Sequence, residues 1–277
     1  MSEIDQNNEA TEVASFRYAL GVEYAGAKFH GWQIQADEGV RTVQEEVERA
    51  LSVIANHPVS VICAGRTDTG VNGSYQVIHF DSQIERPERA WVLGTNSQLP
   101  DDVAILWSKP VDNSFHARFS AQARRYRYLI YPSPVKPAIL ARGVTWTHKE
   151  LELSRMQAAA KHLVGEHDFS SYRAVACQAH SPVRTIHSLE VYQRGQIIVI
   201  DVQANAFLHH MVRNIAGVLM KIGSGEAEID WSKEVLEARD RRKGGVTAPP
   251  WGLYFVDVQY PDQYQLPEGG KGPFFLS

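Results

Sequence analysis

Apolar and polar positions alternate along Phe16–Tyr24, where Phe16, Tyr18, Leu20, Val22 and Tyr24 share one side, so this stretch predicts a strand. The period then changes. In RTVQEEVERALSVIA, Val43, Val47, Ala50, Leu51 and Ile54 recur at helical spacing, and Thr42 with Glu45 three residues later predicts a capping box at the helix start. PVSVICA and YQVIHFDS return to β character, RPERAWVLGTN predicts a short helix with Pro87 near its start, and DDVAILWSKP predicts another strand. The order β-α-β-β-α-β is that of the split βαβ, or ferredoxin-like, unit.

The remaining chain repeats the order more loosely. ARRYRYLIYP predicts a strand and LSRMQAAAKHLVG a helix closed by Gly165. VRTIHSLEVYQRGQIIVIDVQAN predicts two strands turning at Arg194-Gly195. AFLHHMVRNIAGVLMKIG predicts a strongly periodic helix, WSKEVLEARDRR a further helix and GLYFVDVQY a closing strand. The expected fold class is therefore α+β: two ferredoxin-like βαββαβ halves with mainly antiparallel sheets and a catalytic cleft between them. The boundaries expected are a disordered acidic tail over 1–15, an N-terminal half over 16–112, a C-terminal half over 113–262 and a C-terminal tail over 263–277.

Composition supports a globular enzyme-sized chain of 277 residues, 44% hydrophobic, without an apolar run near the ~20 residues a membrane span needs. Two cysteines, Cys63 and Cys177, make no disulfide framework and point to a reducing, cytoplasmic setting. The polar, acidic N-terminus is not a signal peptide. The net charge of −4 looks wrong for a nucleic-acid partner until its distribution is considered. Residues 1–12 carry four acids and no base, and without them 28 basic residues face 28 acidic ones. Residues 113–149 carry seven Lys or Arg, no Asp or Glu, and interleaved aromatics. Such a window suits a phosphate-and-base surface and equally a solvated basic strand face.

Asp68, in CAGRTDTGVNG, is the acid with the most candidate chemistry. Asp followed by Thr-Gly fits an ordinary turn. It also fits one loop of an aspartic protease, but that chemistry needs a second D-[TS]-G, which the chain lacks. As a nucleophile it needs partners. Arg66, two residues earlier, shares a side with it in extended chain, and Tyr126 lies in the basic strand on the face of Arg124 and Tyr128. Arg213 falls opposite the apolar arc of its predicted helix, with small Gly217 one turn on, a sign of close approach there.

AGRTDTGVNG, FHARFSAQARRYRYLIY, GEHDFSSYRA, NAFLHHMVRNIAGVL and GLYFVDVQYP, in this order from Tyr18 to Pro261, together resemble the TruA family of tRNA pseudouridine synthases. The resemblance implies isomerisation of uridine to pseudouridine at positions 38, 39 and 40 of the tRNA anticodon stem-loop, without cofactor. It implies Asp68 as nucleophile and Arg66 as the side chain that helps displace the target base. Tyr126 is implied to stack on the flipped uracil, Arg213 to pair with the nucleophile and Leu253 to pack under the base. Arg124 and Arg125, in the basic window, are expected to contact the substrate. The resemblance also implies a homodimer. The alternative is a non-catalytic RNA-binding protein or tRNA chaperone of the same fold. Thr69 and Asn72 stand where relatives usually carry Ala and His, and Ile34 where they often carry a base. His209 and His210, neighbours on the predicted helix, would point ~100° apart, so no metal site is expected.

Overall fold

The structure, a computed structural model, describes residues 15–36, 39–270 and 272–276; the expected acidic tail lies almost wholly outside the described residues. The N-terminal half contains β1 (Phe16–Tyr24), α1 (Val43–Ala55), β2 (Ile62–Cys63), β3 (Asn72–Ser82) and β4 (Val103–Pro110), with a π-helical turn at Ala90–Gly94 where the short helix was expected. Strands β5 (Ala123–Pro132) and β6 (Thr145–Thr147), helix α2 (Leu153–Ala160) and strands β7 (Gly165–Asp168), β8 (Val183–Arg194) and β9 (Ile197–Ala204) follow. The chain continues through α3 (Met211–Gly223), α4 (Trp231–Ala238) and β10 (Leu253–Gln259).

Local chemistry accounts for these elements. Thr42 Oγ1 accepts from the Glu45 amide at 3.4 Å, the expected cap of α1. Val43, Val47, Ala50 and Leu51 are fully buried from that helix, each large apolar side chain contributing roughly 1.5–3 kcal/mol. Gly195 turns β8 into β9 with φ +55.

The main strand order is β4-β1-β3-β10-β5-β9-β8-β7, with β2 beside β3 and β6 beside β5. Within each half the order is that of a ferredoxin-like unit: β4-β1-β3-β2 in the first and β10-β5-β9-β8 in the second. The two halves do not form separate sheets. Strand β10 pairs parallel to β3 through Tyr254–Asn72 and Phe255–Gly73, and antiparallel to β5 along its other edge. All other pairings except β5–β6 are antiparallel.

One core packs α1 and the π-helical turn on β1 and β3; a larger one packs α2, α3 and α4 on the second half. The C-terminal segment is not a loose tail where it is described. Leu276 is buried against the opposite sheet face with Val199 and Val256, and the Gly270 amide donates to Val256 O at 3.0 Å.

Candidate active site

Asp68 lies in the β2–β3 loop, beside the place where β10 joins the halves. Its carbonyl accepts from the Val71 amide at 3.1 Å, closing a tight turn. Gly70 in that turn has φ +79, and an added Cβ would lie 2.7 Å from the Trp251 ring, so both conformation and space require glycine. The turn reading of the sequence is thus correct, and Asp68 has further partners. The loop is rigid: the Trp32 amide donates to Thr67 O at 3.0 Å, the Gly70 amide to Phe29 O at 3.2 Å, and the Thr67 hydroxyl bonds that of Tyr24 at 2.9 Å.

Three nitrogens from the second half surround the carboxylate. Arg213 Nη1 donates to Oδ2 at 3.4 Å, while His209 Nε2 lies 3.2 Å from Oδ1 and His210 Nε2 3.4 Å from Oδ2. The Asp68 side chain keeps 24% of its exposure, open enough for a substrate. Arg213 is aimed by its Nε, which donates to Ala248 O at 2.8 Å. The close approach expected at Gly217 is the Val246 carbonyl, 2.0 Å from where a Cβ would sit.

The expectation for the two histidines was wrong in its premise. Helix α3 begins at Met211, not near Ala206, and His210 precedes it in the left-handed region at φ 61. That single residue folds both imidazoles toward Asp68, their centroids 4.0 Å apart. One ligand atom from each of Asp68, His209 and His210 lies within 4.8 Å of the others, a set able to grip a cation as well as to share hydrogen bonds. Burial, with His209, Arg213 and Arg241 nearby, holds His210 below the usual imidazole range against the opposing pull of Asp68.

Tyr126 lines the same junction, its ring tilted against Phe255 at 4.8 Å and edge-on to Phe207 at 5.0 Å. Burial, reinforced by Tyr24 and Asp68, pushes its phenol well above the ordinary tyrosine range. Leu253 begins β10 opposite Tyr128, two pairings from Tyr126, and is buried. Arg66 is exposed and makes no hydrogen bond or ion pair among the described residues.

A profile described as tRNA pseudouridine synthase matches residues 21–120 and 159–261. The chain is 58% identical over 269 residues to tRNA pseudouridine synthase A of Pseudomonas aeruginosa, covering 97% of this chain and 94% of that protein. It is 56% identical over 260 residues to the enzyme of the same name from Alcanivorax borkumensis, covering 94% and 97%. The chain belongs to the tRNA pseudouridine synthase family.

Two arginines expected at the substrate of this synthase are committed inside the protein. Arg124 donates to four carbonyls: Ala64 at 3.2 Å, Arg118 at 2.6 Å, Ala121 at 3.0 Å and Asn205 at 3.0 Å. Arg125 lies on the other sheet face and grips Asp201 with Nε at 2.6 Å and Nη2 at 2.8 Å. The basic window of the synthase is therefore partly neutralised in space. Asn72, the departure from the usual His, is buried and structural: its Oδ1 accepts from the Gly26 amide and its Nδ2 donates to Trp251 O, both at 2.9 Å. The histidine pair was missed because a left-handed non-glycine residue leaves no pattern in the sequence.

Proposed function

We propose that the chain isomerises uridine to pseudouridine at positions 38, 39 and 40 of the tRNA anticodon stem-loop, with Asp68 as nucleophile, in the cytoplasm and as a homodimer. The carrying observation is the Asp68 carboxylate, fixed by a rigid loop of one half and held by Arg213, His209 and His210 of the other. Family membership supports tRNA as the substrate, and the positions and the dimer rest on the motif resemblance. Among the described residues no helix is long and apolar enough to cross a membrane.

The carboxylate attacks carbon, either C1′ of the ribose or C6 of uracil, and the N1–C1′ bond breaks. The freed base turns, C5 joins C1′, and the carboxylate leaves unchanged. The C5 proton is lost and N1 takes one up, so no atom is gained overall. Arg213 donates to the anion and the two imidazole nitrogens lie within 3.4 Å of it, steadying it between attacks. Tyr126, protonated at neutral pH, acts here as a stacking surface and O–H donor rather than as a base. Arg66 fills the space left by the displaced base, offsetting part of the few kcal/mol that unstacking costs.

Tritium release from tRNA labelled at uridine C5 tests the proposal. Wild type releases tritium, and Asp68→Asn and Asp68→Ala release none while still binding tRNA. Release by either variant at the wild-type rate removes Asp68 as nucleophile. Binding without release by wild type returns the chain to the RNA-binding alternative.

A further inference from the structure

Phe119 is 76% exposed, although Phe115 and Ala117 of the same segment are fully buried. A lone exposed aromatic is ordinary, but this one is held still. Its ring stacks on His116 at 4.3 Å and 26°. His116 Nδ1 accepts from the amides of Arg118 at 3.2 Å and Phe119 at 3.1 Å, fixing the imidazole beneath the phenyl ring. Behind it, buried His79 packs on His116 at 4.8 Å and accepts from the Ala117 amide at 3.1 Å. The Arg118 guanidinium sits 5.5 Å from the phenyl centroid, and its side chain makes no hydrogen bond or ion pair among the described residues.

This ring is tied to the rim of the Asp68 site. The Arg124 guanidinium bonds the carbonyls of Arg118, of Ala64 ahead of the Asp68 loop, and of Asn205 ahead of His209. One side chain thus fixes the Phe119 segment relative to both loops that carry the site.

From this arrangement we propose that Phe119, flanked by Arg118, is a stacking site for an unpaired nucleobase of the RNA beside the target uridine. The inference rests on the proposed function. A rigid π-face backed by an imidazole and edged by a cation accepts any base, since stacking reads no hydrogen-bond pattern. That tolerance suits an enzyme acting at three consecutive positions, whose flanking bases differ.

The test measures the affinity of anticodon-arm RNA for wild type, Phe119→Ala, Phe119→Leu and Phe119→Trp, with Val53→Ala as an exposed apolar control. Phe119→Ala is expected to weaken binding about 5- to 100-fold, the loss of one base–aromatic stack. Phe119→Leu, with bulk but no π-face, should behave like Ala, and Phe119→Trp like wild type. Turnover should show a larger change in KM than in kcat. 2-Aminopurine placed through the loop should be quenched at one position by wild type and not by Phe119→Ala. Unchanged affinity in Phe119→Ala, or Leu matching Phe, overturns the proposal. A shift of oligomeric state in Phe119→Ala would assign the ring to a second copy of the chain, and overturns it too. If wild type releases no tritium yet Phe119→Ala still weakens RNA binding, the stacking site stands and the enzymatic reading falls.

Discussion

The two faces of β5 carry the same kind of sequence and do opposite things. On one face Tyr126, Tyr128 and Ile130 enter the larger core, and Tyr126 reaches the junction beside Asp68. On the other, Arg125 and Arg127 both close on Asp201 of β9, which is 3% exposed. One face assembles a site; the other locks two strands together with charges that never need to meet RNA. A run of arginines therefore says little about a partner until the acids that fold back onto it are known.

The largest effect is expected at the site that the Tyr126 face helps line, from Arg213→Ala on α3. It removes a charge-assisted donor from Asp68 and should lower the single-turnover rate about 100-fold with tRNA affinity near wild type. Arg213→Lys should recover part of the loss, because the charge stays while the planar fork goes. A fall confined to tRNA affinity would move Arg213 from the chemistry to binding.

On the locking face, Asp201→Asn removes the buried anion that Arg125 and Arg127 share. A buried pair broken this way costs about 3–5 kcal/mol; Arg125 is a third exposed, so about 2 kcal/mol is expected here. Urea unfolding reads that loss, and turnover per folded molecule should hold. Arg125→Ala, with Arg127 still in place, should cost less and leave tRNA affinity within about twofold. A drop in affinity matching that of an Arg118→Ala variant would return Arg125 to the RNA surface.

Tyr126→Phe keeps the ring and removes the hydroxyl, so tRNA should bind nearly as well while turnover falls about tenfold. Phe working as well as Tyr would leave stacking as the whole contribution.

A further effect comes from His79 on β3. Burial, with Arg17 and His116 nearby, pushes His79 down to about 4, and its Nδ1 accepts from the Ala117 amide. The unfolded chain takes that proton near 6.5 and the folded chain only near 4, so between these values the unfolded state binds more protons. Stability present above pH ~6.5 should be lost progressively as pH falls toward 4. His79→Asn, which keeps an acceptor and cannot titrate, should flatten the slope measured by urea midpoints across that window.

Much of this was legible because local period and turn chemistry agree with the fold. The strand order within each half follows from the alternation of period, and Gly195, Thr42 and Gly70 do what their positions suggest. The helix arc that turned Arg213 outward was read correctly, although that helix starts five residues later than its periodicity implies. What failed was non-local or conformationally rare. Nothing near Arg125 in sequence announces Asp201, 76 residues away. The left-handed His210 ended the helix pattern without a glycine to mark it. The shared sheet was hidden because β10 finds β3 from 179 residues on, as Asn72 and Trp251 show at the junction.

That placement of β10 has a consequence for how the molecule comes into being. Strands β3 and β5 have no common neighbour until residues 253–259 exist. During synthesis the first half can close its own small core early, since α1, β1, β3 and β4 are all made by residue 110. Asp68 then waits in a finished loop while more than half the chain is still to come. Leu253 and the strand that stitches the halves are made after Tyr126, His209, His210 and Arg213. A nascent chain stalled before β10 would hold Asp68 in its loop and lack the seam that brings Arg213 and the two histidines to it, so the site is assembled only once residues 253–259 exist.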